Sequence, residues 1–283
     1  MPKVLTPDEV GQFEEKGFIF PVRAFDETRA RYYRDRLESL EDRYPNDVTK
    51  LKTKSHLLCD WVMEIAEDKH ILDVFEDLIG PNIRCWSMAW RAKRPDGKTY
   101  AGWHQDSAYG SPVPVVIGAL ALAPCGVKQG CLRGIPESHK WGVLQHNETV
   151  DSSSILARGQ YINEPFDESQ ATDFILQPGE MVLFHNSIIH GSSPNHGPDR
   201  RILLLIEMMP TWAKMDKFRE AAMLVRGVDD HGNFDDEPRP DGEFTETAIA
   251  NWKRVVESRA KRLFSDSRYG ASDAYGGSRA ATY

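Results

Sequence analysis

The chain has 283 residues, enough for one large domain with a sizeable core. Its 28% charged and 40% hydrophobic residues are ordinary for a globular protein, and the net charge of −8 excludes a general affinity for nucleic acid or anionic membrane. No apolar run approaches the roughly 18–20 residues of a membrane span, and nothing over Met1–Leu5 reads as a leader, so a cytoplasmic protein is expected, with a small molecule as its partner.

Thr6-Pro7-Asp8-Glu9 is a helix entry, with Thr6 as N-cap, Pro7 in the first helical position and Glu9 closing a capping box. The helix is predicted to run to Lys16 and stop at Gly17, before a short strand over 18–22. Helices follow over 26–43, 57–66 and 71–78, the last stopped by Gly80-Pro81. Residues 1–80 therefore form a mainly helical part.

Short apolar or alternating segments then take over at 83–93, 113–123, 173–176, 181–185 and 201–209. Turn formers such as Pro95-Asp96-Gly97, Pro178-Gly179 and Gly197-Pro198 separate them, which predicts a β-sandwich or barrel core over 81–210. Long loops over 124–172 are the expected carriers of function. Two C-terminal helices are predicted within 211–265, at 213–225 and 245–263, before a flexible tail over 266–283. The whole of 1–265 reads as one domain. Cys59, Cys85, Cys125 and Cys131 form no C-x-x-C pair, so they read as reduced structural residues.

The strongest chemical signal is Trp103-His104-Gln105-Asp106. An imidazole and a carboxylate two positions apart on extended backbone project to one side and can grip one metal ion. A second histidine from a distant strand would complete a two-histidine-one-carboxylate set, which leaves open positions suited to iron(II). Phe184-His185-Asn186-Ser187-Ile188-Ile189-His190 offers His185 and His190 for that role. Further on, Arg200-Arg201 opens an apolar strand, where only one of the two can point inward. An inward arginine there can pair bidentately with a carboxylate of an oxo-acid.

These motifs, together with Phe13, Gly17-Phe18, Lys93-Arg94-Pro95, Gly130 through Lys140, Pro178-Gly179-Glu180 and His190-Gly191-Ser192, resemble the phytanoyl-CoA dioxygenase family. The resemblance runs from Phe13 to about Met209. It implies a mostly β fold with flanking helices, built on a double-stranded β-helix (a cupin-like jelly roll). It also implies an iron(II)/2-oxoglutarate-dependent dioxygenase that consumes O2, with His104, Asp106 and His190 as the catalytic metal ligands and Arg201 on the 2-oxoglutarate. Family members often carry a tryptophan at the position of Ala119, so this strand has less bulk. The chain is similar in Trp86 and in Ala157-Arg158-Gly159-Gln160 to a branch that includes halogenases. Those enzymes replace the ligand carboxylate by a small residue, so Asp106 implies hydroxylation.

For substrate, the expectation is a small polar molecule with a cationic amine, the best candidate being an aminoalkylphosphonate. Trp86, Met88 and Trp90 alternate along one strand, and Tyr100 and Tyr109 flank the metal motif, which predicts a shared aromatic face for an ammonium group. Arg91, Arg133, Arg158 and His196 are the candidate donors to a phosphonate. The chain resembles the aminoethylphosphonate hydroxylases overall. Other readings are a hydroxylase of an amino acid, natural product or acyl-CoA, a cupin-type binding module without turnover, and a zinc hydrolase on the same ligands.

Overall fold

The computed structural model describes residues 2–215 and 218–267, so the tail expected over 266–283 lies, beyond residue 267, outside the described residues. In chain order the elements are α1 (Pro7–Lys16), β1 (Phe18–Arg23), α2 (Glu27–Arg43), α3 (Asp60–Ala66), α4 (Lys69–Ile79), β2 (Ile83–Lys93), β3 (Ala101–His104), β4 (Val116–Ala121), β5 (Arg133–Gly134), β6 (His146–Asn147), β7 (Tyr161–Ile162), β8 (Thr172–Asp173), β9 (Glu180–His185), β10 (His190–Ser192), β11 (Arg201–Pro210), β12 (Ala221–Arg226), β13 (Asp235–Asp236) and α5 (Glu246–Leu263). The capping box of α1 is present, with the Glu9 N–H donating to Thr6 Oγ1 (3.2 Å) and the Thr6 N–H to Glu9 Oε2 (2.7 Å). Gly17 closes the helix at φ +81°.

A seven-stranded sheet runs β1-β9-β4-β11-β2-β12-β13, and a four-stranded sheet runs β3-β10-β5-β8. Alternation along the larger sheet decides what each face meets. Val116, Leu120, Met181, Leu183, Leu204 and Ile206 join α1–α4 in one core. Ile117, Ala119, Val182, Phe184 and Leu203 face inward and pack with Leu132, Phe174 and Ile188 from the region of the smaller sheet. Strands buried on both faces read as continuous apolar runs, which is why 201–209 and 181–185 stand out in the sequence. The result is a mostly β jelly-roll core with helices on its outer face, and no helix among the described residues is long and apolar enough to cross a membrane.

One predicted element is overturned. The helix predicted at 213–225 is not what the described residues form: Ala221–Arg226 is a strand, pairing antiparallel with β2 through Met223↔Cys85 and Leu224↔Arg84. Its helix-favouring composition is overruled because β2 would otherwise present an unpaired edge at Ile83–Cys85. The strand predicted over 113–123 shortens to Val116–Ala121, and in place of that over 173–176 the sheet takes only Thr172–Asp173.

The C-terminal segment is fixed to the core by a buried ionic cluster. The fully buried Lys54 ammonium donates to Glu237 Oε1 (2.6 Å), to Ala221 O (2.8 Å) and to Trp86 O, while His56 Nε2 meets Glu237 Oε2 at 2.8 Å. Glu237→Ala leaves that ammonium buried without its carboxylate. It is expected to cost about 3–5 kcal/mol of unfolding free energy. Urea denaturation checks this, and a loss under about 1 kcal/mol, the scale of an exposed ion pair, would show that the cluster does not hold the segment.

Candidate metal centre and its cavity

His190 lies directly opposite His104 in the antiparallel pairing of β10 with β3, so the two imidazoles face each other with ring centroids 4.1 Å apart. Each ring's Nδ1 lies against the backbone carbonyl two residues back: His104 Nδ1 to Gly102 O at 2.8 Å, and His190 Nδ1 to Ile188 O at 3.0 Å. A carbonyl only accepts, so both Nδ1 atoms carry the proton and both Nε2 lone pairs point elsewhere. They point to Asp106. His104 Nε2 is 3.5 Å from Asp106 Oδ1 and His190 Nε2 is 3.7 Å from Oδ2. The three ligand atoms lie within 4.8 Å of one another, and this is the one such group found among the described residues.

The electrostatics suit a cation. Burial, helped by His104, pushes the His190 imidazolium down to about 4, so the ring is a neutral donor at pH 7. Burial opposes ionisation of Asp106, but the two imidazoles and Arg91 hold its carboxyl down at about 2. The donor set therefore fits iron(II): two tautomerically fixed imidazoles and one carboxylate, the last with 32% of its side chain still exposed.

Gln105, between the two ligand positions, is fully buried and turns away from the site. Its amide donates to Gly142 O (2.9 Å) and Ser187 O (2.8 Å) and accepts the Leu144 N–H (2.8 Å), while its own N–H donates to His146 Nε2 (3.0 Å). One side chain thus ties the His104–Asp106 segment to the 142–144 loop and to the turn before His190.

Arg201 points inward and Arg200 outward. Arg200 makes a bidentate pair with Glu41 (2.6 and 2.9 Å), whereas Arg201 is fully buried in the cavity that also holds His104, Asp106 and His190. Arg201 Nη1 donates to Gly130 O (3.0 Å) and Nη2 to Arg91 O (3.3 Å), while Nε has no partner. Among the described residues no carboxylate pairs with it, a costly state for a buried cation and a fit for an anionic co-substrate. Gly130 is required here. Its φ is +65°, and a Cβ would stand 2.2 Å from Ser193 O. Beside Arg201, burial and the guanidinium push the Lys93 ammonium down to about 6. Its nitrogen donates to Ser192 Oγ (2.6 Å) and Ser193 O (2.6 Å), bracing the end of β10.

The cavity, of about 160 Å³, continues past the metal site along Arg91, Trp86 and Glu207 to the C-terminal helix residues Arg259 and Arg262. The predicted aromatic face is not assembled. Register slips between Glu207↔Ser87 and Met208↔Cys85, leaving Trp86 as an extra residue that reverses the alternation of β2. Trp86 consequently faces the cavity while Met88 and Trp90 face the helices, Trp90 packing against Trp61 at 5.9 Å. Tyr100 is not in the cavity wall, and its hydroxyl donates to Asp151 (2.8 Å). The Tyr109 side chain lies outside the described structure. Of the candidate phosphonate donors only Arg91 lines the cavity. Arg133 stacks on Trp103 and pairs with Asp173, Arg158 binds Glu148, and His196 packs against Gly97. Ala119 packs between the sheets and does not line the cavity. His146, Lys52 and Arg259 escaped sequence reasoning because no local motif marks them, and Gln105, though inside the metal motif, carries no local sign of its clamping contacts.

Comparison with known proteins agrees with this geometry. A family model described as "Phytanoyl-CoA dioxygenase (PhyH)" matches residues 2–203. A "Probable alpha-ketoglutarate-dependent hypophosphite dioxygenase" of Stutzerimonas stutzeri is 30% identical over 156 residues, covering 53% of this chain and 54% of the relative. The human "Phytanoyl-CoA dioxygenase, peroxisomal" is 25% identical over 218 residues, covering 68% and 64%. Each match spans less than two-thirds of the relative's own length. Among solved structures, the apo form of ThoJ, a non-heme monooxygenase, superposes with a TM-score of 0.82 at 26% identity, covering 91% of this chain and 98% of that one. CytC3 with Fe(II) and alpha-ketoglutarate, at 22% identity and a TM-score of 0.63, covers 86% and 97% and speaks for the fold alone.

Gln105→Leu keeps the volume but removes the partner of the part-buried Gly142 and Ser187 carbonyls and of the Leu144 N–H. A stability loss of about 2–4 kcal/mol is expected, with iron(II) retention after gel filtration weakened roughly tenfold. Unchanged retention at the lower stability would show that the clamp does not orient the ligands.

Proposed function

The chain belongs to the phytanoyl-CoA dioxygenase family, and from that membership we propose that it is an iron(II)- and 2-oxoglutarate-dependent dioxygenase hydroxylating a C–H bond of a small polar molecule. The observation that carries the reading is the meeting, in one cavity, of two imidazoles and a carboxylate with a fully buried arginine that no carboxylate among the described residues satisfies. His104, Asp106 and His190 would hold the metal. When bound, iron(II) supplies dioxygen activation coupled to decarboxylation of 2-oxoglutarate to succinate. Arg201 takes the distal carboxylate of 2-oxoglutarate, and Gly130 O and Arg91 O set the plane of its guanidinium. Val115, Ile117, Phe184 and Leu203 line the cavity and keep water from that ion pair. With Asp106 keeping the carboxylate position, the outcome is oxygenation.

A binding module without turnover leaves the buried Arg201 without a task. A zinc hydrolase on the same ligands needs a general base beside its water, and the cavity carboxylate Glu207 is engaged by Arg259 at 3.4 Å.

The substrate candidate is an aminoalkylphosphonate. Support comes from the cationic cavity wall and from the relative named for hypophosphite, a phosphorus oxyanion. The amine end has less support, because the Trp86 face is covered by the Arg259 guanidinium at 4.1 Å. Succinate release with 2-aminoethylphosphonate, its trimethylated form and acyl-thioester controls tests the class. Turnover of a long acyl-thioester with no response to either phosphonate would overturn it.

Arg201→Leu is expected to weaken 2-oxoglutarate binding by on the order of 2–5 kcal/mol, the scale for breaking a buried charge pair. Arg200→Leu, which removes outer pairs such as those with Glu41 and Glu38, should change it by less than about 1 kcal/mol. Anaerobic titration of both variants decides, and the reverse ranking would show that the wrong arginine is assigned.

A further inference from the structure

Gln160 closes the Ala157-Arg158-Gly159-Gln160 segment, and its side chain, 8% exposed, lines the cavity that also holds His104, Asp106 and His190. Its surroundings hold it still. Gly159 stands at φ +56°, where a Cβ would be 2.2 Å from Thr149 O, so only glycine lets the turn close this tightly. Arg158 Nε donates to Glu148 Oε1 and Nη1 to Leu263 O (2.8 Å), which fixes the turn to its own loop and to the end of α5. On the other side, Gln160 O is 3.3 Å from where a Cβ on Gly102 would stand, and Gly102 O is the carbonyl that orients the His104 ring. Gln160 therefore sits beside the strand that carries a metal ligand.

The sense of its amide is set by the backbone. Gln160 Oε1 accepts the Arg158 N–H (3.2 Å). A backbone N–H only donates, so the oxygen is the end turned to the chain and Nε2 is the other end. Nε2 carries two N–H donors and has no hydrogen-bond partner among the described residues. Donors left so in a largely buried side chain are costly until an acceptor meets them.

We propose that Gln160 is a specificity-determining residue whose Nε2 donates to an anionic oxygen of the substrate, of the phosphonate or carboxylate type, and so orients that molecule beside the metal. An amide held in one sense selects by direction: it welcomes an acceptor and rejects a molecule that offers an ammonium donor at the same point. The inference deepens the oxygenase reading and rests on it for calling the bound molecule the substrate.

The test is calorimetric titration of the anaerobic full chain, loaded with iron(II) and saturating 2-oxoglutarate, with methylphosphonate, acetate and methylammonium. The parent is expected to bind at least one of the two anions, and to bind it more tightly than methylammonium. Gln160→Glu keeps an oxygen for the Arg158 N–H but puts an acceptor where Nε2 stood, and Gln160→Met removes the donor without adding charge. Both should weaken the bound anion about tenfold or more, the scale of one hydrogen bond to a charged group, and Gln160→Glu should shift the preference toward methylammonium. A residue that serves only to accept the Arg158 N–H would leave Gln160→Glu like the parent. That result, or a parent that binds neither anion, would overturn the proposal. Variants that lose affinity for 2-oxoglutarate in place of the anion would overturn it too, since the donor would then serve the co-substrate. Either variant decides where the other does not fold. A parent that fails to bind 2-oxoglutarate, yet binds the anion through Gln160, would remove the oxygenase reading and leave this assignment standing.

Discussion

The site depends on one pairing: His190 opposite His104 across two short antiparallel strands. Because the strands pair at these positions, the rings meet. Because each ring gives its Nδ1 proton to its own backbone, both present Nε2 to the same point. The tautomers are thus set by main-chain geometry, without help from a second acidic side chain. Asp106 needs only the extended Gln105 and the start of a 3₁₀ turn to bring its carboxylate to that point. Gln105, Lys93 and Ser192 hold the strands so that this meeting persists.

Around the centre the protein concentrates positive charge in a chain whose overall charge is negative. Arg201 is tolerated because carbonyl oxygens satisfy part of its guanidinium, and Lys93 because burial favours its neutral form. At the far wall Glu207 and Glu220 hold the arginines of α5 in place, and Trp86 is clamped between them by its indole N–H and by the cations over its ring. The bulge that turns Trp86 into the cavity is therefore tied to the cationic wall, and the Lys54–Glu237 cluster, which binds the Trp86 carbonyl, supports both.

Much of this is legible before folding. The cap of α1, the helical first third and the double-sided apolar strands follow from local patterns. Strand parity adds that only one of Arg200 and Arg201 can point inward, and the family resemblance, not the local pattern, selects Arg201. What escapes is whatever depends on the third dimension. A single extra residue at Trp86 reverses the alternation and sends Trp90 into the helical core, so an aromatic face that looks continuous in the chain is split between two layers. Ala221–Arg226 has helix-favouring residues, yet joins the sheet because an edge of β2 needs a partner. Arg259 lies some two hundred positions beyond Lys52 and Thr53 in the chain, and the docking of α5 through Trp252 brings them to one cavity.

The most direct measurement of the central claim is the visible spectrum of the anaerobic chain with iron(II) and 2-oxoglutarate. The account predicts a weak charge-transfer band that needs both components and is lost on changing His104, Asp106 or His190 to alanine. Absence of the band in the unaltered chain, or its persistence in all three variants, would contradict the assignment of these residues as the centre that binds iron and co-substrate together.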